Sequence, residues 1–433
     1  MNPGRTRLAV SGLATLVIFS ALAGDFWRDL LSWWGYGIIV LVLLTGSVFA
    51  LVILRPRMNR RRLPKSLIAF LLLCLVSIAW SFYPWVSALA VLVQWATILA
   101  ALFLALVLTW TELLRAFGSA LRWVLGLSLL FEFIVAAFIR HPVLPFWVDW
   151  GDQKIPEAFY WSRGLLFHGG QIQGILGNSN LLAMCALLAV IVFGVQLAGR
   201  AVTRRWGTAW LVVAIATLGL TRSSTVIAAT VITGLTLLAA LWARSVDPAR
   251  RRPVYLTGAG VLVAAIAVVW VFWAQLLTLL GKSEDLTGRL TIWHSVADLA
   301  QQRPVSGWGW ISYWAPWVEP FRGLAVRKGV TYLQAHNAWL DIWLQLGIIG
   351  LVVFIALVLS TLTRSWFYAV DTQHTQNAAK PYGPGEPLTA MQLLPLLVVA
   401  ALIAQSFAES RILVESGWML LVLFSIKTKQ LRA

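Results

Sequence analysis

The sequence predicts an all-α polytopic membrane protein with about twelve transmembrane helices. Three observations lead there. Hydrophobic residues make up 60% of the 433-residue chain and charged residues 12%, about half the charged share of a soluble domain. Apolar stretches long enough to cross a bilayer recur from one end to the other. No segment alternates apolar and polar residues as the strands of an outer-membrane barrel do.

Spans are expected at about 8–24, 34–54, 66–82, 85–109, 116–140, 178–198, 206–220, 224–242, 256–280, 337–360, 391–408 and 411–426. The first has two readings. Arg5 and Arg7 ahead of an apolar run ending Ala21-Leu22-Ala23 match a cleavable signal peptide, whereas an uncleaved first helix is the expectation for a multi-spanning chain. Cys74 and Cys185 both lie in apolar runs and read as core thiols, not a disulfide or metal pair.

The net charge of +17 would suggest nucleic acid in a soluble protein. Here no basic tail or nucleic-acid motif accompanies it, so no such partner is expected, and topology explains much of it. The connections at 55–65, 200–206 and 243–253 are dense in arginine. Under strict alternation they share one side with Arg5, Arg7, Lys427, Lys429 and Arg432. Cytoplasmic loops collect Lys and Arg, so that side is expected to be the cytoplasm and the membrane an inner membrane. One missed span would split these segments.

The whole of 1–433 therefore reads as one integral membrane domain. Two long connections, 141–177 and 281–336, face the opposite, periplasmic or external, side in this topology. They are rich in Trp, Gly and Pro, an aromatic content that argues for ordered, functional loops. Within the second, Thr291–Gln302 has the apolar spacing of an amphipathic helix, with Trp293, Val296 and Ala300 on one side. Segment 361–390, with Pro381, Gly383, Pro384, Gly385 and Pro387, reads as a cytoplasmic linker. There is no internal repeat of the kind that transporters carry.

Arginines on the outer side need a separate cause, because the topology rule does not put them there. Arg222 lies in Thr221-Arg222-Ser223-Ser224-Thr225, after a span of about 15 residues, or roughly 22 Å. It is expected to sit below the outer surface, flanked by hydroxyls and no acid, which points to a functional cation. Arg411 is similarly placed, but an ion pair with Glu409 or Glu415 explains it as well as a ligand does. Arg289 begins the loop helix and reads either as a site cation or as a solvated loop residue.

His336 stands where the loop enters a span, in Gln334-Ala335-His336-Asn337, and its near-neutral pKa type suits a general base as well as a cap. Asn337, Asp341 and Gln345 follow at intervals of four and form one polar stripe, either functional or hydrogen-bonded inside the bundle. Weaker candidates are Arg163 and His168 in the first long connection, and Glu132, a carboxylate inside a span that needs a partner. Gly177-Asn178-Ser179-Asn180 opens a helix whose N–H groups could face an anion.

No P-loop, HExxH, Cys/His metal cluster or Asp-x-Asp pair is present, so neither a metal nor another cofactor is expected. Arginine grips phosphate in a bidentate manner, histidine takes a proton from a hydroxyl, and Trp293, Trp308, Trp310, Trp314 and Trp317 offer flat faces to sugars or headgroups. The pattern fits transfer of a group from a lipid pyrophosphate to an alcohol, the pyrophosphate supplying the activation.

These residues resemble the O-antigen ligase and polymerase superfamily of bacterial envelope glycosyltransferases. The resemblance rests on Gly177-Asn178-Ser179-Asn180, Thr221-Arg222-Ser223-Ser224, Gly288-Arg289-Leu290-Thr291-Ile292-Trp293, Gly307-Trp308-Gly309 and His336-Asn337 followed by Gly347-Ile348-Ile349-Gly350, in that order across 177–350. Within the superfamily the chain is most similar to the O-antigen ligase. That implies a GT-C-like membrane fold and a metal- and ATP-independent, inverting transfer. Glycan would pass from undecaprenyl pyrophosphate to lipid A-core at the periplasmic face, in lipopolysaccharide biosynthesis. It further implies that Arg222 and Arg289 hold the pyrophosphate and that His336 acts as base or positions the acceptor. Arg163, His168, Asn178, Asn180, Trp293, Asn337 and Arg411 are the expected substrate-binding residues. Ser223 stands where many relatives have glycine. The alternatives are a polymerase or protein O-oligosaccharyltransferase of the same superfamily and, further off, a lipid-linked sugar flippase or anion transporter.

Overall fold

Every span expected from hydropathy falls on a helix in the computed structural model of the chain, which describes residues 3–148, 155–271, 289–327, 329–371 and 388–430. The helices are α1 (Pro3–Leu22), α2 (Gly24–Leu54), α3 (Lys65–Val76), α4 (Pro84–Val107), α5 (Trp110–Ile134), α6 (Ser179–Ala198), α7 (Arg204–Thr221), α8 (Ser224–Ser245), α9 (Arg252–Val271), α10 (Arg289–Gln301), α11 (Ala338–Val370), α12 (Leu393–Ser406) and α13 (Glu415–Gln430). Seven, namely α1, α2, α4, α5, α6, α8 and α11, are long and apolar enough to cross a membrane. Apolar helices at Lys65–Trp80 and Ala390–Ser406 are shorter, and α7 and α13 fall short of that measure. The fold is that of an all-α polytopic membrane protein. Among the described residues the one sheet is a hairpin of β1 (Val326–Arg327) and β2 (Val330–Thr331).

Exposure sorts the helices as a bilayer would. α12 and α13 are buried along nearly their whole length, while α2 and α8 leave large apolar side chains such as Val42 and Leu238 exposed. A helix that is apolar all round belongs either in the core or against lipid.

Four details position the functional side. First, α2 breaks at Ser32 (φ 66°, ψ 179°), so Asp25, Arg28 and Asp29 lie on a separate first segment and the span proper starts near Trp33. Second, the buried carboxylate of Glu132 on α5 meets its expected need for partners. It accepts from Ser162 Oγ at 3.0 Å and from the backbone N–H groups of Gln173 and Gly174 at 2.8 and 2.7 Å. Both arms of the first long connection are thereby fastened to one side chain.

Third, α11 is interrupted at Gly347 (φ 64°, ψ −165°), and the second connection fills the gap. Trp308 N–H donates to Leu344 O at 3.0 Å, Gly309 N–H to Gln345 O at 2.8 Å, and Ile348 N–H to Pro304 O at 2.9 Å. A Cβ on Gly347 would stand 2.1 Å from Val305 O, and one on Gly307 2.4 Å from Gln345 backbone. The two glycine motifs thus exist for each other: only glycine permits this approach of two main chains. Broken helices at membrane depth require the freed backbone groups to find such partners.

Fourth, α11 runs ten residues into the segment read as linker. Thr361, Ser365, Ala369 and Val370 keep a buried helical face. Arg244 Nε donates to Ala369 O at 2.7 Å, and Arg251 Nη2 to Val370 O at 2.8 Å. Capping cations at a helix C-terminus offset its unpaired carbonyls. The proline- and glycine-rich part of 361–390, Gly288 and the last residues of the span expected at 256–280 lie outside the described residues.

Candidate functional site

The polar stripe of α11 is a set of clamps that builds the site. Asn337 caps the helix, its side-chain oxygen accepting from Trp339 N–H at 3.0 Å and Leu340 N–H at 3.2 Å. Four residues on, buried Asp341 accepts through one oxygen from Ala335 N–H at 3.0 Å and from Ser410 Oγ. It therefore ties the turn before His336 to the connection between α12 and α13. Gln345 accepts from Ile311 and Ser312 N–H at 2.9 and 3.0 Å and donates to Ser312 O at 3.2 Å. Trp293 on α10 adds a further tie, its indole N–H donating to Ala335 O at 2.9 Å.

These clamps bring His336 to Glu409, a residue of the α12–α13 connection. The His336 Nδ1 lies 2.7 Å from Glu409 Oε2. The carboxylate can only accept, so Nδ1 carries the hydrogen, and in the neutral ring Nε2 is the nitrogen that has the lone pair. The same carboxylate accepts from Arg289 Nη2 at 2.8 Å and from Asn180 Nδ2 at 3.2 Å, with Gln334 Nε2 at 3.5 Å. Its side chain is 6% exposed. Burial by itself would raise the Glu409 carboxyl, but His336 and then Arg289 outweigh it and hold the group down at about 2.

The hydroxyl-rich segment before α8 joins from the other side. Ser223 Oγ donates to Asn180 Oδ1 at 2.7 Å and caps α8 by accepting from Val226 N–H. Thr225 Oγ1 accepts from Arg289 Nη1 at 3.3 Å. Arg222 itself takes a left-handed conformation (φ 49°) as the C-cap of α7, and its guanidinium is exposed. It reaches toward the first long connection, with Nη2 3.6 Å from where a Cβ on Gly169 would stand. Among the described residues no carboxylate pairs with it. A glycine is not required after this arginine: Ser223 is extended there and its hydroxyl is used.

The other expected residues divide. Asn180 belongs to the cluster. Asn178 caps α6, accepting from Asn180 and Leu181 N–H at 2.9 and 3.3 Å, so its oxygen, like that of Asn337, is taken. Arg163 pairs with Glu157 at 3.1 Å and lies 3.3 Å from Gln173 Oε1. His168 is exposed in a turn of the same connection.

Arg411 sits in a second cluster. It pairs with Glu415 and, at 3.4 Å, with Asp25, while Arg28 pairs with Asp25 and, at 2.9 Å, with Glu415. Of its two sequence-level explanations, the ion pair with Glu415 is the one formed, and Glu409 is left to His336 and Arg289. Trp310 and Trp314 are buried at 0% and 2% exposure and cannot offer a face to a sugar, whereas Trp317 is exposed. They pack because the second connection folds onto α3, α4 and α11 and has a small core of its own. Among the described residues no three His, Cys, Asp or Glu side chains are grouped to hold a metal ion.

The arrangement offers a histidine oriented for proton uptake, a cation held on the same carboxylate and a second cation without one. That combination can accept a proton from a hydroxyl beside an anionic leaving group. Comparison with known proteins bears on the superfamily. Residues 209–355 match the family model described as O-antigen ligase, which bears out the resemblance to the O-antigen ligase/polymerase superfamily. The matched segment runs from α7 into α11 and takes in Arg222, Arg289 and His336, but not Asn180 or Glu409. No curated protein matches the chain.

Proposed function

We propose that this protein is an O-antigen ligase: a glycosyltransferase of the bacterial inner membrane that moves a glycan from undecaprenyl pyrophosphate to a hydroxyl of lipid A-core, with its site facing the periplasm. The observation that carries the reading is the 2.7 Å contact of His336 with a carboxylate that also holds Arg289.

The acceptor hydroxyl lies against His336 Nε2. As its oxygen attacks the anomeric carbon from the side opposite the pyrophosphate, its proton passes to Nε2. Glu409 stabilises the imidazolium that forms and fixes the ring. The bond from the anomeric carbon to the pyrophosphate oxygen breaks, and inversion follows from attack on the far side. Arg222, with no carboxylate to satisfy, and Arg289 neutralise the departing charge. Asn180 and Ser223 hold Glu409 in place. Arg163 and His168 line the approach from the first long connection and contact donor or acceptor sugars. Asn178, Asn337, Trp293 and Arg411 act one step further out, by fixing the backbone that carries the reacting groups.

The test is transfer by purified protein supplied with lipid-pyrophosphate-linked glycan and lipid A-core, with chelator and without nucleotide. Glycosylated lipid A-core is the expected product. Extension of the glycan on its own lipid carrier would instead make the protein a polymerase, and a glycosylated polypeptide a protein-directed transferase. Folded protein that only moves the lipid-linked glycan between leaflets would overturn the enzymatic reading.

A further inference from the structure

At the opposite ends of the same helices lies a second group of cations with a different character. Lys65 opens α3, Arg364 lies on α11 near its end, Lys429 closes α13, and Arg62 precedes α3. Lys429 is about 21 Å along α13 from Glu415, and Arg364 about 40 Å along α11 from Asn337, at 1.5 Å per residue. The group is therefore remote from the His336 cluster.

Hydrogen bonds hold it together. Ser66 Oγ lies 3.1 Å from Ser360 Oγ, joining α3 to α11. Lys429 Nζ donates to Leu63 O at 2.9 Å, and Gln430 Nε2 donates to Asn59 O and Arg62 O at 3.1 and 3.2 Å. Arg364 Nη2 donates to Thr361 Oγ1 and Ser425 Oγ, both at 3.3 Å, and lies 3.4 Å from Ser425 O.

What is missing is an anion. Among the described residues no carboxylate pairs with Lys65, Arg364, Lys429 or Arg62. Arg364 and Lys65 both repel the charge of Lys429. Arg364 Nε and Arg62 Nη1 are buried without a hydrogen-bond partner. Pro64, the N-cap of α3, has no side-chain acceptor for the first N–H groups of that helix. Retention of basic residues on one side of a membrane explains the arginines of the 55–62 loop. It does not explain why cations on three separate helices converge, or why two buried donors point at nothing. Buried donors and like charges cost free energy unless an acceptor joins them.

We propose that this group of cations binds the phosphate of an anionic phospholipid headgroup, with Lys65, Arg364 and Lys429 as its charged ligands and Arg62 as a fourth donor. The position at helix ends is the headgroup level, where basic pockets between helices meet acidic lipids. The lipid would fasten α3, α11 and α13 together. Since α11 and α13 lead to Asn337 and Glu415 at their other ends, it would brace the frame of the site without touching substrate.

Native mass spectrometry of the full chain, released from mixed micelles of phosphatidylglycerol and phosphatidylcholine, reads this directly. Wild-type protein is expected to retain phosphatidylglycerol preferentially. Each basic residue removed should weaken retention about fivefold, the worth of one cation at a charged membrane surface. Lys65→Gln tests this at an exposed side chain, and the double variant Arg364→Gln/Lys429→Gln tests the other two helices of the group. A parallel melting experiment with inorganic phosphate alone separates the sources: no stabilisation at millimolar concentration is expected. Equal retention of the two lipids, or undiminished retention by Lys65→Gln and the double variant, overturns the proposal. Full stabilisation by inorganic phosphate with no lipid preference overturns the assignment to a lipid.

Discussion

Two carboxylates lie close together where α12 gives way to α13, Glu409 in the connection and Glu415 at the first position of α13, and they are used in opposite ways. Glu415 meets Arg28 and Arg411, and with Asp25 the cluster sets two acids against two arginines, each cation engaged by both acids. Glu409 meets one arginine and a histidine, and the histidine keeps its far nitrogen free. Arg222 stands nearby without an acid. A balanced cluster has no call on a further charge. With Arg222 nearby, the Glu409 cluster has a cation left uncancelled and a histidine beside it, as the proposed reaction requires. Neighbouring charged groups at one helix junction thus separate into a brace and the proposed reaction centre, according to whether the partners cancel.

Variants sharpen this contrast, and the largest effect is expected at the histidine. His336→Ala should cut transfer by about 10²–10⁴-fold, the usual worth of a general base, while leaving folded protein in the membrane. Full activity in the purified variant would remove His336 from the role of base. Arg289→Ala comes next, with a loss of about 10²-fold or more in turnover from the missing electrostatic contact.

Glu409→Gln should cost about 10–100-fold, since a charge-assisted hydrogen bond worth about 1.5–3 kcal/mol becomes a neutral one. The same variant has a pH signature. A carboxylate held low in the folded state contributes stability that is present above its ordinary range, near 4.5, and lost as pH falls toward about 2. The gap in melting temperature between wild type and Glu409→Gln should therefore narrow as pH falls below about 4.5. A gap independent of pH down to 3 would mean the ion pairs are not what Glu409 contributes.

Arg222→Lys should lose about tenfold, because a point charge does not reproduce a bidentate fork. Unchanged kinetics would reduce Arg222 to a helix cap. The smallest effect on transfer is expected in the balanced cluster. Arg411→Gln should lower stability by about 3 kcal/mol, because Glu415 and Asp25 are then left to share Arg28. Transfer per folded molecule should stay within about twofold, since no reacting group is touched. A large loss of turnover at unchanged stability would assign Arg411 to the substrate.

How much of this could be read in advance depends on the range of the interaction. Asn178, Asn337 and Ser223 act on N–H groups two or three residues ahead, so helix starts were legible at each. The periodicity of Asn337, Asp341 and Gln345 was legible too, but not what each one grips, because Ser410 and Ile311 lie far off in the chain. Glu409 was visible only as a possible partner for Arg411. Its one signal was a lone acid in a short link between two apolar helices, where a carboxylate needs a cation from somewhere. The tryptophans of the second connection were misleading, because burial and not composition decides whether an indole packs or binds.

The amino-acid sequence by itself determined the solvent of this protein and the class of its fold. Apolar length and the one-sided excess of arginine are local, additive quantities, and a bilayer reads them directly. It also determined the order of the cations, hydroxyls and glycines that mark the superfamily. The tertiary structure alone decided their pairing. Glu409 could have gone to Arg411, two residues away, and went instead to His336 and Arg289, 73 and 120 residues away. Asp341 pins Ser410, while Glu415 and Asp25 had already taken Arg411. Pairing of charges in a low-dielectric interior is a competition among all neighbours at once, and only the packed helices say who the neighbours are.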